Sequence, residues 1–323
     1  MTEPACAALR QGLAVSCTGL LVAALHVPMP FLALLAAQLI GGLACASYGE
    51  LLRRIAAALA GSFCGLLVLV AAPDQQWVSL PLFAVATGWG TVLARDRLGA
   101  ASGILFGMGV VAAFSAGIVE SRPGVDFAFA HAAALIVAAL AASAFAAAFI
   151  KVSPENGAET GRRASGDAWL VGIAPVLALV AATALVLPQA TVATVAGLAT
   201  SLGLAEPRAP TLGQRALGGA LGMIVTVAFL VVMIGAGNDA GVYLGGLALV
   251  FGAFEWLAMA RPARAAAFRQ AAAMFAVAAT ILPQPDQNLS APMARIAAVG
   301  LGMAAAMLAF ALVAGARRGR GTS

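Results

Sequence analysis

Charge is scarce in this sequence. Only 10% of its 323 residues are charged, whereas a soluble globular domain carries about 25%. Hydrophobic residues make up 62%, and the mean hydropathy is +0.99. No soluble fold of this length can bury so much apolar surface. The composition therefore excludes a soluble protein and indicates a polytopic membrane protein.

Lysine, histidine and cysteine are also rare. Of the 18 basic residues 17 are Arg, and they occur singly or in pairs, unlike the basic patch of a nucleic-acid-binding protein. The four cysteines form no CxxC pair and there are two histidines, so we expect neither a disulfide framework nor a Cys/His metal site. The HExxH, GxSxG and P-loop motifs are absent from the sequence. We expect a protein that is not an enzyme, uses no cofactor or metal, and binds no nucleic acid.

Apolar runs long enough to cross a bilayer recur along the chain. A spanning helix needs about 20 apolar residues, and these runs do not alternate as barrel strands do. We predict an all-α polytopic membrane protein with about twelve transmembrane helices. The predicted spans are 7–26, 28–48, 55–72, 77–94, 98–118, 129–150, 168–187, 189–205, 215–234, 240–259, 266–282 and 293–315.

The longest polar stretch, residues 151–167, divides the chain into two halves. It carries Lys151, Arg162 and Arg163 together with one proline and three glycines, which disfavour a helix. We predict that it is a cytoplasmic linker between two six-helix membrane repeats, 1–150 and 168–323.

The two halves align with each other about 160 to 166 residues apart. The matched pairs are Pro28 and Pro188, Arg54 and Arg215, Gly61 and Gly222, and His131 and Arg295. An even number of spans in each half would orient the repeats in parallel, a common transporter plan with its site at the repeat interface. The alternative is that segments rich in Ala, Gly and Leu align through composition alone.

The basic residues also predict the orientation. With the N-terminus inside, the predicted inner segments hold 16 Arg and Lys residues and the outer segments hold 2. Such a bias marks the cytoplasmic side. We expect a multi-pass protein of the bacterial inner membrane with both termini in the cytoplasm.

Two short segments resemble a known family. Residues 54–61 and 215–222 open the third predicted span of each half with Arg followed by small residues. They resemble the motif of the fusaric acid resistance, or aromatic acid exporter, family, in which Arg, two residues, Gly-Thr, two residues and Gly follow one another. Arg215, Gly218 and Gly222 match this motif.

The match to this family is incomplete. Gly219 stands in place of the Thr, and the first half has Ala57 and Ala58 in place of Gly-Thr. Long family members carry a large cytoplasmic domain where this chain has its 17-residue linker, so the chain is similar to the shorter, membrane-only members.

The resemblance implies a function and partners. It implies a proton-coupled secondary transporter that exports aromatic or other small organic acids, often with a periplasmic adaptor protein. The alternatives are a permease subunit of a multi-component export system, a structural or assembly membrane protein without a substrate, and an importer. The remaining partners are the lipid bilayer and a second copy, since glycine-rich faces are compatible with a homodimer.

Three charged residues are the first candidates for the transport pathway. Glu255 lies inside the tenth predicted span, where an ionisable group is a functional candidate that could carry a proton. The alternative is an interfacial carboxylate paired with Arg261 or Arg264. Arg54 and Arg215 could attract a substrate carboxylate, but we favour their being anchors that extend to the lipid headgroups.

Uncharged polar and aromatic residues complete the inner candidates. Gln38 could hydrogen-bond a substrate or, more in keeping with its position, a neighbouring helix. Trp89 and Trp256 could stack on an aromatic ligand; the alternatives are packing for Trp89 and a place in the interfacial aromatic belt for Trp256.

Two cationic positions are candidates on the outer side. His131 and Arg295 begin the last predicted span of each half and could receive an anion or relay protons. Because one position holds two different cations, simple anchoring is the alternative. We expect Glu50 to pair with Arg53 or Arg54 and not to carry a proton.

Overall fold

The structure is a computed structural model. It describes residues 3–27, 29–41, 47–71, 75–119, 124–148, 164–187, 189–204, 212–279 and 290–320. Every regular element in these ranges is a helix, and none is a strand. The all-helical prediction is therefore confirmed for the part of the chain that is described.

The described ranges contain twelve α-helices, one for each predicted span. They are α1 (Glu3–Ala24), α2 (Pro30–Ile40), α3 (Tyr48–Ala71), α4 (Gln76–Leu98), α5 (Ala100–Val119), α6 (Val125–Ala148), α7 (Ala164–Ala184), α8 (Ala190–Leu204), α9 (Leu212–Gly235), α10 (Ala240–Ala260), α11 (Ala265–Ala278) and α12 (Ser290–Arg320). A short 3-10 turn, Pro262–Arg264, joins α10 to α11.

Eight of these helices are long and apolar enough to cross a membrane, namely α1, α3, α4, α5, α6, α9, α10 and α12. Helices α2, α8 and α11 are shorter, at 11, 15 and 14 residues. Most of their residues are buried, so these short helices form the core of the units they belong to. The fold is that of a polytopic membrane protein.

The chain forms two compact units. Unit 1 comprises Met1–Ile55, Ala133–Asn156 and Pro210–Ile296, and unit 2 comprises Ala56–Ala132, Gly157–Ala209 and Ala297–Ser323. Unit 1 therefore contains α1 and α2 together with α9, α10 and α11. Unit 2 contains α4 and α5 together with α7 and α8. Each unit draws helices from both halves of the sequence.

Within each unit a few helix pairs account for most of the packing. In unit 1, α1 packs on α10 and α2, and α11 packs on α9, α10 and α2. In unit 2, α4 packs on α7 and α5, and α8 packs on α7 and α5. The short helices α2 and α8 thus occupy similar places, each between a long helix and a helix of the buried core.

Glycines allow the closest helix crossings. Where α1 crosses α10 in unit 1, a Cβ on Gly12 would lie 2.5 Å from the Ala248 carbonyl oxygen, and one on Gly252 would lie 3.2 Å from that of Ala8. A methyl group at Gly12 would collide with this backbone oxygen. The crossing therefore depends on small residues, as helix contacts in membranes commonly do.

The crossing of α4 and α7 in unit 2 has the same form. A Cβ on Gly88 would collide with the Ala168 carbonyl oxygen, and one on Gly172 would collide with that of Ala84. Each crossing is thus reciprocal, with one glycine from each helix against a carbonyl of the other.

The α1–α2 and α7–α8 connections also share one geometry. His26 and Val186 each adopt a left-handed conformation after the helix, with φ of 51° and 53°. The N–H groups of Val27 and Leu187 donate back to Val22 and Ala182, at 3.0 and 2.9 Å. This is a Schellman ending, which a proline commonly follows within two residues.

Some predicted boundaries differ from the helices observed. Helix α7 begins at Ala164, so the last residues of the proposed linker belong to a helix. Residues 149–163, which include Lys151, Arg162 and Arg163, lie outside the described residues. The division of the sequence into 1–150, 151–167 and 168–323 stays a prediction.

Candidate functional site

Arg54 lies on α3 in unit 1, and its side chain is fully buried. Its Nη1 donates to Ser143 Oγ on α6 at 3.2 Å, and its Nη2 donates to Glu50 Oε1 at 3.1 Å. The expectation that this residue extends to the lipid headgroups was wrong, because the guanidinium turns inward and is held by these two side chains. The expected pairing of Glu50 with Arg54 is confirmed.

Arg215 lies on α9 in the same unit and is 5% exposed. Its Nη1 donates to Gln270 Oε1 on α11 at 3.0 Å. The headgroup-anchor expectation was wrong here as well. Gln270 is itself buried, so a neutral amide positions this cation where α9 and α11 pack closely through Gly218.

Glu255 lies on α10, and its side chain is 8% exposed. Its Oε1 lies 3.6 Å from Nη2 of Arg269 on α11. The alternative, a pairing with Arg261 or Arg264, was wrong in its partner, since both of those residues are exposed at the turn that follows α10, whereas Arg269 comes from the helix packed beside it. The carboxyl is therefore buried and paired, and its role as a proton carrier stays a prediction.

Gln38 forms a buried amide pair with Gln11. Gln11 Nε2 donates to Gln38 Oε1 at 2.7 Å and to the Gln38 carbonyl oxygen at 3.0 Å. The second acceptor is a main-chain oxygen, so the orientation of the Gln11 amide is fixed. Of the two readings of Gln38, the bond to a neighbouring helix is confirmed.

The sequence reading missed Gln11. The only sequence feature that could have indicated a role for Gln11 is that a polar residue interrupts an apolar run there. It lies next to Arg10, which is also buried. A lone amide near the start of a predicted span gives no indication of its partner. Its partner lies 27 residues away on another helix, and only the packing of α1 on α2 reveals the pair.

The remaining candidates are two tryptophans, a histidine and an arginine. Trp89 and Trp256 are 43% and 48% exposed, so neither side chain is enclosed. His131 in unit 2 is buried, with Nδ1 2.7 Å from the Phe127 carbonyl oxygen. Anchoring at the membrane surface was therefore wrong for His131. Arg295 in unit 1 lies over the Phe31 ring at 5.3 Å from its centroid.

One open cavity lies in unit 1, between α9 and α10. It has a volume of about 460 Å³, and its lining is almost entirely apolar. The lining residues are Val225, Ala228, Phe229, Val232, Val242, Gly245, Gly246, Leu249 and Val250. Among the described residues, no group of three or more His, Cys, Asp or Glu side chains could hold a metal ion.

Comparison of the chain with protein-family models, with curated proteins and with solved structures finds no match. The resemblance to the aromatic acid exporter family therefore stays an expectation from the short Arg-Gly motif.

Proposed function

We propose that this protein is an inner-membrane secondary transporter that exports small organic acids, aromatic acids among them, by coupling to protons. The observation that carries this proposal is the burial of Arg54 and Arg215 in unit 1. Ionisable groups inside membrane helices are costly, and they commonly mark a substrate or ion pathway.

The hydrogen bonds of the two arginines support a role in anion binding. Ser143 and Glu50 hold the Arg54 guanidinium, and Gln270 holds that of Arg215. A guanidinium fixed in this way binds a carboxylate with little further loss of side-chain freedom. Its planar fork also matches the two oxygens of a carboxylate.

Glu255 is the group that we propose for proton coupling. It shares unit 1 with both arginines, and its ion pair with Arg269 joins α10 to α11. Protonation of Glu255 would remove the negative charge that attracts Arg269. A proton could thus alter the contact between these helices while substrate is bound.

We also propose that the chain has twelve spans arranged as two parallel repeats. The matching turns at His26 and Val186 support this arrangement, as do the two reciprocal glycine crossings. In this proposal the repeats exchange helices, because α1 packs with α10 and α4 packs with α7. Export direction, cytoplasmic termini, a periplasmic adaptor and a homodimer stay predictions.

Transport in proteoliposomes tests the role of the arginines. A panel of aromatic and aliphatic carboxylates is supplied under a proton gradient to the wild type, Arg54→Gln and Arg215→Gln. Hydrogen bonds to charged groups contribute about 1.5–3 kcal/mol, so we expect the rate of acid transport to fall at least roughly tenfold in each variant.

Arg97→Gln is the matched control, because Arg97 is an exposed arginine at the end of α4. We expect this control to transport like the wild type. Thermal unfolding of each variant in detergent shows whether it is folded. Folded Arg54→Gln and Arg215→Gln proteins that transport acids at the wild-type rate would rule out the proposed anion site.

The apolar cavity favours a second candidate function. Its lining offers no polar group to an organic acid, which is what a structural or assembly membrane protein would show. Absence of transport of any acid by folded wild-type protein would favour this candidate. Co-purification with an ATPase would instead favour a subunit of a multi-component export system.

A further inference from the structure

Three arginines form a basic cluster where α10 meets α11. Arg261, Arg264 and Arg269 are all exposed, and the Arg269 side chain, which also pairs with Glu255, is 50% exposed. The sequence contains no Asp or Glu from residue 261 to residue 279. This end of unit 1 therefore presents a concentrated positive charge.

The backbone that carries the cluster is held in place. The Arg264 N–H donates to the Arg261 carbonyl oxygen at 2.8 Å, which closes the 3-10 turn. Gln214 Nε2, from α9, donates to the Ala263 carbonyl oxygen at 2.9 Å. The spacing of Arg261 and Arg264 is therefore a built feature of the connection.

An exposed apolar stripe runs along α10 away from this cluster. It includes Trp256, Leu249 and Val242, which are 48%, 72% and 39% exposed. At about 1.5 Å per residue, Leu249 lies roughly 18 Å along the helix from Arg261. That distance is a little more than half of a hydrocarbon core of about 30 Å, so the stripe reaches the middle of the membrane.

The stripe leads into the apolar cavity between α9 and α10. Leu249 and Val242 belong to both. Along α10 there are thus, in order, a cluster of cations, an aromatic ring and the apolar cavity. This order matches the order of groups in a phospholipid, from phosphate to acyl chain.

We propose that this face of unit 1 binds an anionic phospholipid. The three arginines bind its phosphate, Trp256 lies at the level of the headgroup, and an acyl chain follows α10 towards Leu249 and the cavity. Basic pockets between membrane helices commonly recognise anionic headgroups. This proposal does not rest on the transport function, because lipid binding is measured by itself, although Arg269 also pairs with Glu255.

The connection between α4 and α5 in unit 2 provides a comparison. There Arg95 Nε lies 3.6 Å from Asp96 Oδ1, which leaves Arg97 as the uncompensated charge of that sequence. In the cluster Arg269 is likewise paired, with Glu255, which leaves two uncompensated arginines, Arg261 and Arg264, and these attract an anionic headgroup more strongly than one does. Arg97→Gln is therefore the matched control for substitutions in the cluster.

Thermal unfolding of delipidated protein in detergent tests the proposal. We expect phosphatidylglycerol to raise the melting temperature of the wild type and phosphatidylcholine to leave it unchanged. In Arg261→Gln/Arg264→Gln, which leaves Arg269 and its ion pair intact, we expect the apparent affinity for phosphatidylglycerol to fall roughly thirtyfold. Arg97→Gln should respond like the wild type.

Two further additions separate the lipid from its headgroup chemistry. Inorganic phosphate and dihexanoyl-phosphatidylglycerol supply the anion without a long chain, and we expect neither to match the long-chain lipid. An equal effect of either one would show an anion site only and overturn the proposal. An equal loss in Arg97→Gln, or equal stabilisation by phosphatidylcholine, would overturn it as well.

Discussion

In unit 1 helix α1 crosses α10, and in unit 2 helix α7 crosses α4, with a glycine of each helix against a carbonyl of the other. Gly12 and Gly252 serve the first crossing, and Gly172 and Gly88 serve the second. The hairpins that follow α1 and α7 end in the same left-handed turn. These matches allow the interiors of the two units to be compared position by position.

The interiors differ in polarity. Three buried polar residues of unit 1 have counterparts in unit 2 at the same distance from a matched glycine or turn. The pairs are Gln11 and Val171, Gln38 and Leu198, and Glu255 and Thr91. All six residues are buried, so the difference lies in chemistry and not in exposure.

The glycines are common to both units, whereas the buried amides occur in unit 1 alone at these positions. Burying an amide or a carboxyl is unfavourable unless hydrogen bonds or ion pairs compensate for the lost water. Unit 2 forms the same crossing and the same turn with apolar residues at both amide positions. The amides of unit 1 are therefore not required for the crossing.

The largest effect on stability is expected from a methyl group at a crossing. Gly88→Ala places a Cβ against the Ala168 backbone oxygen, which cannot move without shifting α7. We expect the free energy of unfolding to fall by about 2 kcal/mol, the usual scale for overpacking. Thermal unfolding in detergent measures this change.

Gly252→Ala is the matched control in unit 1. Its Cβ would lie 3.2 Å from the Ala8 carbonyl oxygen, so a small shift suffices. The gain in helix propensity, about 1 kcal/mol for Gly to Ala, offsets that cost, and we expect little net change. Equal destabilisation by Gly88→Ala and Gly252→Ala would show that the space available for an added Cβ does not differ between the two crossings.

A smaller effect is expected when the amide pair is replaced by its counterparts. Gln38→Leu alone leaves Gln11 Nε2 with one acceptor in place of two, which costs about 1 kcal/mol. The double variant Gln11→Val/Gln38→Leu removes both amides, so its cost should be less than the sum of the single costs. Unfolding of the three variants in detergent measures the coupling, and strict additivity would contradict it.

Gly41→Ser, added to Gln11→Val/Gln38→Leu, gives unit 1 the residue that unit 2 has at a third matched position. Ser201 Oγ donates to the Leu198 carbonyl oxygen at 2.8 Å, and Gly41 occupies the corresponding place in unit 1. A Cβ at Gly41 would collide with Gln11 Oε1 and would also lie 2.7 Å from the Ala37 carbonyl oxygen, so Gln11→Val removes only the first of these two close contacts. We expect the triple variant to unfold at a lower temperature than the double in detergent, because the close contact with the Ala37 carbonyl oxygen remains. Equal melting temperatures of the two variants would show that the end of α2 shifts to accept the serine.

Much of this fold could be predicted from the sequence, because apolar runs give the helices and prolines mark the turns. The face on which a side chain lies could not. Arg54 and Arg215 lie near the ends of apolar runs, where hydropathy gives the depth of a residue but not the direction of its side chain, so the sequence favours headgroup anchors for both. Their burial follows from Ser143 and Gln270, which belong to other helices.

Which helices pack on one another could not be predicted from the sequence either. Nothing in α1 indicates that it packs on α10 instead of a helix of its own half, since apolar segments rich in Ala and Gly can pack on one another in many ways. For the same reason the sequence offers only the nearby Arg261 and Arg264 as alternative partners of Glu255. Arg269 became its partner through the packing of α10 on α11.

The smallest effect on stability is expected at Glu255. Its ion pair with Arg269 is 3.6 Å long and half exposed on the arginine side, so Glu255→Gln should cost less than about 1 kcal/mol. Its effect on transport should be large if this carboxyl carries the proton. Acid transport in proteoliposomes, measured across a range of imposed proton gradients, should then lose its dependence on the gradient.

Thr91→Val tests the same position in unit 2. Because Thr91 carries no ionisable group, its replacement should leave the dependence on the gradient unchanged. A folded Glu255→Gln protein that still responds to the gradient like the wild type would show that Glu255 serves only its ion pair. Loss of the response in Glu255→Gln alone would place the coupling in unit 1, on the one position of this matched pair that can bind and release a proton.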